Sequence, residues 1–330
     1  MIRALLPAIH ARPTGGNLYN RRILTELAKH TPVKREVVFP GDRMRPVVRR
    51  RRRGPRPILL IDSLLLDHVV DGAVVIAHYL QAVDPERWRG ARADHERELL
   101  SRCRGVVATS DYTRDILRQA APEPRLVTIA PGLDDRYRRD VEPRTNATPR
   151  LVTVANLLPG KGFVEMLDVL ETLADLPWRW DVVGDTRLDA EHAELFRERL
   201  RRSPVARRVT MHGALPAARV AALYDRGDVF VLPTRFETCS MVTREAMARA
   251  LPVVAYAIGG LPANLPPSTR HLLAPPHDAA ILGATLRRLL TDPAERVEAG
   301  RLNRDEAMTF PTWEESGLAL HEFLVTIFRP

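Results

Sequence analysis

The sequence predicts an α/β protein made of two doubly wound domains. Three observations carry that expectation. Short apolar runs alternate with helical patterns along nearly the whole chain. The alternation stops over a polar, proline-containing stretch at 142–150 (EPRTNATPR) and then restarts. A chain of 330 residues is also long for a single core. Strands alternating with helices give parallel sheets with right-handed crossovers, whose ligands gather at the carboxyl ends of strands. The expected organisation is therefore a first domain over 1–145 and a second over 150–311, facing each other across a cleft. A closing helix is expected at 312–330, packed in the plainest reading on its own domain.

Taken in order, the first half offers strands at 2–9, 37–39, 58–62, 74–78, 106–109 and 127–130, each short and rich in Ile, Val or Leu. Helical patterns fit between them at 18–29, 86–102 and 112–119. After the polar stretch come strand 151–155, helix 163–173, strand 180–183, helix 190–201, strand 209–212 and helix 217–225. A strand then opens the segment VFVLPTRFETCSMVTREAMARALPVVAYAIGG, from Val229 to Gly260. From Asp278 onward the pattern is mostly helical.

Hydrophobic content of 45% with 28% charged residues fits an ordinary globular chain and excludes a disordered one. No apolar run approaches the roughly 18 residues that span a bilayer. MIRALLPAIH is short and interrupted, and reads as a first strand rather than a signal peptide. Cys103 and Cys239 are too few for a disulfide framework or a metal site, so the reducing cytoplasm is the expected compartment. The formal charge of +9, carried mostly by arginine, favours anionic partners.

Arg49 to Arg53 form five consecutive arginines within RMRPVVRRRRRGPR. Such a block reads first as a solvated, self-repelling loop. Its second reading is an electrostatic dock for anionic lipid at the inner membrane face, or for an anionic acceptor. No aromatic residue interleaves with the run, which argues against base stacking and hence against nucleic acid.

Several places can carry chemistry, each with a bland alternative. Gly15 and Gly16 precede a helix and let a backbone approach phosphate or sugar; alone, such a pair is more often a turn. The pattern is not GxGxxG, so a dinucleotide reading is weak. His78 ends the apolar run AVVIAHYL and points to the cleft, or is a satisfied strand-end histidine. Lys161, in LVTVANLLPGKGF, can neutralise a departing diphosphate, or is a surface lysine in a turn. Gly184, after WRWDVV, is explained as well by a tight turn. In the segment from Val229 to Gly260, Glu237 sits in the turn and Glu245 on the helix that the turn opens. Free amides at that helix start can take phosphate oxygens, while carboxylates take sugar hydroxyls.

The order of these pieces is more informative than any one of them. Gly-Gly after the first strand, His78, TS-x5-IL, APGLD, AN-x4-KG, VVGD and E-x7-E followed by EAMARALPVVA form one series. The series resembles the retaining glycosyltransferases of family 4, in the GT-B superfamily, over roughly residues 5–309. The resemblance implies a GT-B fold of two Rossmann-like domains and transfer from a nucleoside diphosphate sugar, UDP- or GDP-linked, to an acceptor hydroxyl. It implies Glu245 on the ribose hydroxyls and Glu237 on the transferred sugar. The amides of Ser240, Met241 and Val242 would take the diphosphate with Lys161, and Gly16 would approach from the opposite domain. His78 would lie near the sugar, and the closing helix at 312–330 would cross back to the first domain.

Two departures stand out. Asn156 occupies the place of an arginine common in relatives, and Thr238-Cys239-Ser240 replaces a glycine-rich stretch. The sequence carries no acidic pair that demands a metal, so metal-independent, front-face transfer with no cofactor is expected. The acceptor is left open among sugars, lipid-linked sugars and small molecules. The alternative is a non-catalytic nucleotide-sugar-binding protein of the same fold, and Asn156 is its motive.

Overall fold

The computed structural model describes residues 1–9, 12, 14–39, 57–84, 89–120, 124–143 and 145–329. The arginine run from Arg49 to Arg53 and the first residues of the helix expected from residue 86 lie outside them. The chain forms two compact units, Met1–Gly132 with Pro311–Pro330, and Leu133–Phe310.

The first unit runs β1 (Ile2–Pro7), α1 (Gly15–Leu27), β2 (Val33–Val38), β3 (Ile58–Asp62), β4 (Val74–Ala77), α2 (Ala91–Ser101), β5 (Gly105–Ala108), α3 (Asp111–Ala120) and β6 (Arg125–Thr128). Its six strands are parallel, in the order β2-β1-β3-β4-β5-β6. Strands β4 and β5 are wholly buried four-residue runs, as central parallel strands covered on both faces must be. The chain leaves β1 toward β2 and returns on its other side to β3, so the topological switch lies between β1 and β3.

Helix α1 begins earlier than the sequence suggests. Thr14 caps it, its hydroxyl accepting from the Asn17 N–H at 3.2 Å. The glycine pair thus forms the first turn of the helix rather than a loop before it.

The second unit runs α4 (Asp135–Arg138), β7 (Arg150–Val154), α5 (Phe163–Glu171), β8 (Arg179–Val183), α6 (Ala190–Arg201), β9 (Val209–Gly213), α7 (Ala217–Tyr224), β10 (Val229–Leu232), α8 (Met241–Ala248), β11 (Val253–Tyr256), β12 (Leu273–Ala274), α9 (Ala279–Thr291) and α10 (Pro293–Ala307). Six parallel strands lie in the order β12-β11-β10-β7-β8-β9, with the switch between β7 and β10. One side of the core is anchored by Phe163, Trp178, Trp180 and Phe196, all buried. The one polar atom of Trp180 is satisfied there: its Nε1 donates to Thr153 Oγ1 at 2.9 Å, and Thr153 donates in turn to the Val231 carbonyl at 2.8 Å.

The boundary between units falls at Gly132, not at 145–150 as the sequence pattern suggested. Leu133 and Tyr137 are buried in the core of the second unit. The polar stretch is also tethered there: the Asn146 and Arg150 N–H groups donate to the Asp228 carboxylate at 2.9 and 2.7 Å. Buried apolar anchors outweigh the proline content that marked the stretch as a linker.

The last helix, α11 (Trp313–Phe328), belongs to the first unit. A capping box of Thr312 and Glu315 starts it. Ser316 donates to the Ala130 carbonyl at 2.8 Å, and Gly317 sits so close to Glu26 of α1 that a Cβ there would collide with it. No helix among the described residues is long and apolar enough to cross a membrane.

Candidate active site

The loops leaving β7 and β10 meet at the switch of the second sheet, the place where doubly wound sheets bind ligands. Lys161 ends a 3-10 turn after β7, and Glu237 lies in the loop after β10. The Lys161 ammonium donates to Glu237 Oε2 at 3.0 Å, with Thr234 Oγ1 at 3.5 Å. Both side chains are mostly sheltered, at 25% and 15% exposure, so the pair is screened less than a surface one.

Two glycines hold this geometry. Gly162 (φ 68°) follows Lys161, and a Cβ there would enter the Pro233 carbonyl. Gly259 (φ 56°) lies against the Glu237 carbonyl, which accepts from the Gly260 N–H at 2.9 Å. L side chains rarely adopt either backbone, so these close approaches require glycine.

Helix α8 starts at Met241 behind Ser240, whose backbone is left-handed (φ 62°, ψ 76°). This is a conformation a glycine-rich stretch would adopt without cost, and a serine holds it here. Ser240 is buried, and its Oγ meets Thr243 Oγ1 at 2.7 Å, which helps fix the strained turn. Asn264, a residue the sequence did not single out, spans the turn: its Nδ2 donates to the Cys239 carbonyl at 2.5 Å, and its Oδ1 accepts from Arg244 Nε at 2.8 Å. Met241 and Val242, half-buried, form the first turn of α8, whose leading amides lack helical partners.

Glu245, one turn farther along α8, is half-buried, and loss of hydration pushes its carboxyl up to about 7. Hydroxyls of Tyr137 and Tyr224 hydrogen-bond it and Arg136 lies near; all three oppose that rise without cancelling it. The Tyr137 and Tyr224 rings meet edge to face at 6.1 Å between centroids. Tyr137 escaped notice because it lies in the segment read as part of the first domain.

Asn156, after β7, accepts from the Asp185 N–H through its Oδ1 at 3.0 Å and ties down the turn after β8. Gly184 in that turn packs on Ala155 and Asn156 so tightly that a Cβ would strike the Ala155 carbonyl.

A separate group lies at the switch of the first sheet. Gly16 is in the first turn of α1, and a Cβ there would approach the His78 ring to 3.1 Å. Nothing crowds Gly15. His78 Nε2 lies 2.8 Å from Asn20 Oδ1 and 3.7 Å from Asp62 Oδ2. The Tyr19 ring meets the imidazole edge-on at 5.2 Å. Burial pushes the His78 ring below the usual histidine range, against the pull of Asp62. Asn20 and Asp62, at 1% and 2% exposure, are functional candidates the sequence reading passed over. A carboxylate ending ILLID was the available signal.

The family model described as "Glycosyl transferases group 1" matches residues 148–292, the stretch that carries Lys161, Glu237 and Glu245. Over the whole chain the fold is that of sucrose-phosphate synthase from Thermosynechococcus elongatus, with a TM-score of 0.78 at 19% identity over 99% of both chains. The chain has the GT-B fold. Another GT-B structure, Anabaena HepE in complex with UDP-glucose, gives a TM-score of 0.77 at 15% identity, covering 99% of this chain and 100% of that one. In sequence, this GT-B chain is 28% identical over 247 residues to the 2-deoxystreptamine glucosyltransferase of Streptomyces kanamyceticus, covering 72% of this chain. It spans less than two thirds of the relatives it matches, 62% of that protein and 55% of a Corynebacterium aurimucosum D-inositol 3-phosphate glycosyltransferase.

Proposed function

We propose that the chain is a retaining glycosyltransferase of family 4, moving a sugar from a UDP- or GDP-linked donor to an acceptor hydroxyl without a metal or cofactor. The meeting of Lys161 with Glu237 at 3.0 Å, at a sheet switch point, is the observation that carries the reading. An ammonium and a carboxylate held together suit a ligand that brings both a diphosphate and sugar hydroxyls. The kinship to a named glucosyltransferase and the likeness to a fold that holds UDP-glucose support a hexosyl donor.

In this reading the donor's diphosphate takes over Lys161 and the amides of Ser240, Met241 and Val242. Glu237, released, accepts hydroxyls of the sugar, and Glu245 accepts those of the ribose. As the glycosidic bond lengthens, negative charge grows on the diphosphate, and Lys161 with the helix amides stabilises it. The acceptor hydroxyl attacks from the face the phosphate leaves, and a phosphate oxygen takes its proton, so the anomeric configuration is kept. Gly16 and His78 are the site residues proposed for the first unit. The acceptor is a sugar, a lipid-linked sugar or a small molecule, and the run from Arg49 to Arg53 is offered to an anionic membrane or acceptor. Two free, buried cysteines, Cys103 and Cys239, suit a reducing compartment such as the cytoplasm.

A panel of UDP-, GDP- and ADP-sugars, scored by thermal stabilisation and release of nucleoside diphosphate, tests the reading. Binding stabilises with the logarithm of ligand concentration. Stabilisation by one donor class with turnover supports it. Stabilisation without release from any donor would instead favour a nucleotide-sugar-binding protein, for which Asn156, committed to Asp185, is the motive.

A further inference from the structure

Asn264 ends a short 3-10 turn (Pro262–Asn264) in the loop after β11, at 1% exposure and beside the buried Leu265. Its Nδ2 donates to the Cys239 carbonyl at 2.5 Å, and its Oδ1 accepts from Arg244 Nε at 2.8 Å. Both ends fix how the amide lies. A guanidinium can only donate and a carbonyl can only accept, so the oxygen must turn to Arg244 and the NH2 to Cys239. Arg244 is itself supported, its guanidinium lying over the Phe310 ring at 4.5 Å from the centroid. The same loop takes a second carbonyl of the neighbouring turn, where the Gly260 N–H donates to the Glu237 oxygen at 2.9 Å. No peptide bond among the described residues is cis. In a trans peptide the C=O and N–H groups point opposite ways, so a Cys239 carbonyl turned to Asn264 sends the Ser240 N–H to the other side. Among the described residues no group accepts from that N–H. The hydrogen bonds of Ser240 are its Oγ contact with Thr243 at 2.7 Å and its carbonyl, which accepts from the Arg244 N–H at 3.4 Å.

We propose that Asn264 is a positioning residue that, by holding the Cys239 carbonyl, aims the Ser240 N–H at the diphosphate of a nucleotide ligand. The ligand half of this rests on the glycosyltransferase reading above; the direction of the peptide does not.

Titrations with UDP and GDP, each beside its own nucleoside, test it. In protein labelled with heavy nitrogen at serine, the Ser240 amide signal is assigned by its loss in Ser240→Gly. The diphosphate that binds more tightly is expected to move that signal downfield, and its nucleoside to leave it in place. Asn264→Leu removes the donor without adding charge, and Asn264→Asp removes it while keeping a partner for Arg244. Either should weaken the diphosphate roughly tenfold, the worth of one hydrogen bond to a charged group, and leave the nucleoside's affinity unchanged. An Asn264 that only supports the fold would cost both ligands alike. A Ser240 signal unmoved by a diphosphate that binds, equal losses for the two ligands, or no loss in either variant would overturn the proposal. The wild-type spectra need no Asn264 variant, so they decide the role of the amide even where a variant fails to fold. The expected spectra and affinities from a protein that transfers no sugar would refute the glycosyltransferase reading alone. Turnover with an unmoved Ser240 signal would refute the proposal alone, and wild-type protein that binds neither diphosphate would overturn both.

Discussion

Lys161 and Glu237 are 76 residues apart in sequence, yet the ammonium of one donates to the carboxylate of the other at 3.0 Å. Each neutralises its partner. On the proposed reading, a nucleoside diphosphate sugar replaces one contact by two, phosphate for the lysine and sugar hydroxyls for the glutamate. Removing either partner then has different consequences. Glu237→Gln should leave affinity for free nucleoside diphosphate unchanged or improved, because Lys161 loses a competitor, while weakening the sugar-bearing donor. Lys161→Met should weaken both by roughly tenfold, as loss of a charge-assisted hydrogen bond does. Calorimetric titration of the two ligands into each variant checks this.

Ser240 carries its own test. Its left-handed backbone costs about 1 kcal/mol relative to glycine, and its hydrogen bond to Thr243 returns a similar amount. Ser240→Gly should therefore be near neutral. Ser240→Ala keeps the strain without the bond and should cost about 1 kcal/mol, and the β-branched Ser240→Val more. Midpoints of urea unfolding at constant slope order the three.

Gly162→Ala and Gly259→Ala should act on the site more than on the fold. A methyl group at either would push on the carbonyl of Pro233 or of Glu237. The loops bearing Lys161 and Glu237 must then move. Donor affinity is expected to fall about tenfold or more, consistent with the sensitivity of catalysis to small misplacements. Far-ultraviolet circular dichroism should retain the wild-type shape.

Glu245 sets a pH dependence. Its carboxyl is pushed up to about 7 in the folded protein, chiefly by burial, from an ordinary value of 4.5. The folded state therefore holds this proton more tightly than the unfolded chain. The contribution to stability is fully present below about 4.5 and is lost as pH rises through about 7. Glu245→Gln should flatten the stability profile across that window. Donor binding should run the opposite way and tighten through about 7, because the ionised carboxylate is the better acceptor of ribose hydroxyls. Unfolding curves and donor titrations across the window, for wild-type and variant, measure both slopes.

The fold was legible because parallel strands buried on both faces leave a strong mark: Val229–Leu232 and Ile58–Asp62 stand in the structure where their apolar runs lie. Gly15 and Gly16 were misplaced by one turn because a single cap, Thr14, decides where a helix begins. The pairing of Lys161 with Glu237 could not be read at all, since it depends on which strands become neighbours at the sheet switch. Tyr137 was hidden for a related reason. It looks like part of the first domain, and only burial beside Tyr224 brings it to Glu245. Asn20 and Asp62 left only separate, ordinary signals in sequence, a polar residue on a helix and an acid at a strand end. Their significance lies in the contact with His78.

The most direct test of the central claim is the rate at which nucleoside diphosphate leaves the best-bound nucleotide sugar, for wild-type protein, Lys161→Ala and Glu237→Ala. Wild-type turnover at least about tenfold faster than either variant, all three remaining folded, is the predicted result. Equal rates in all three would contradict it.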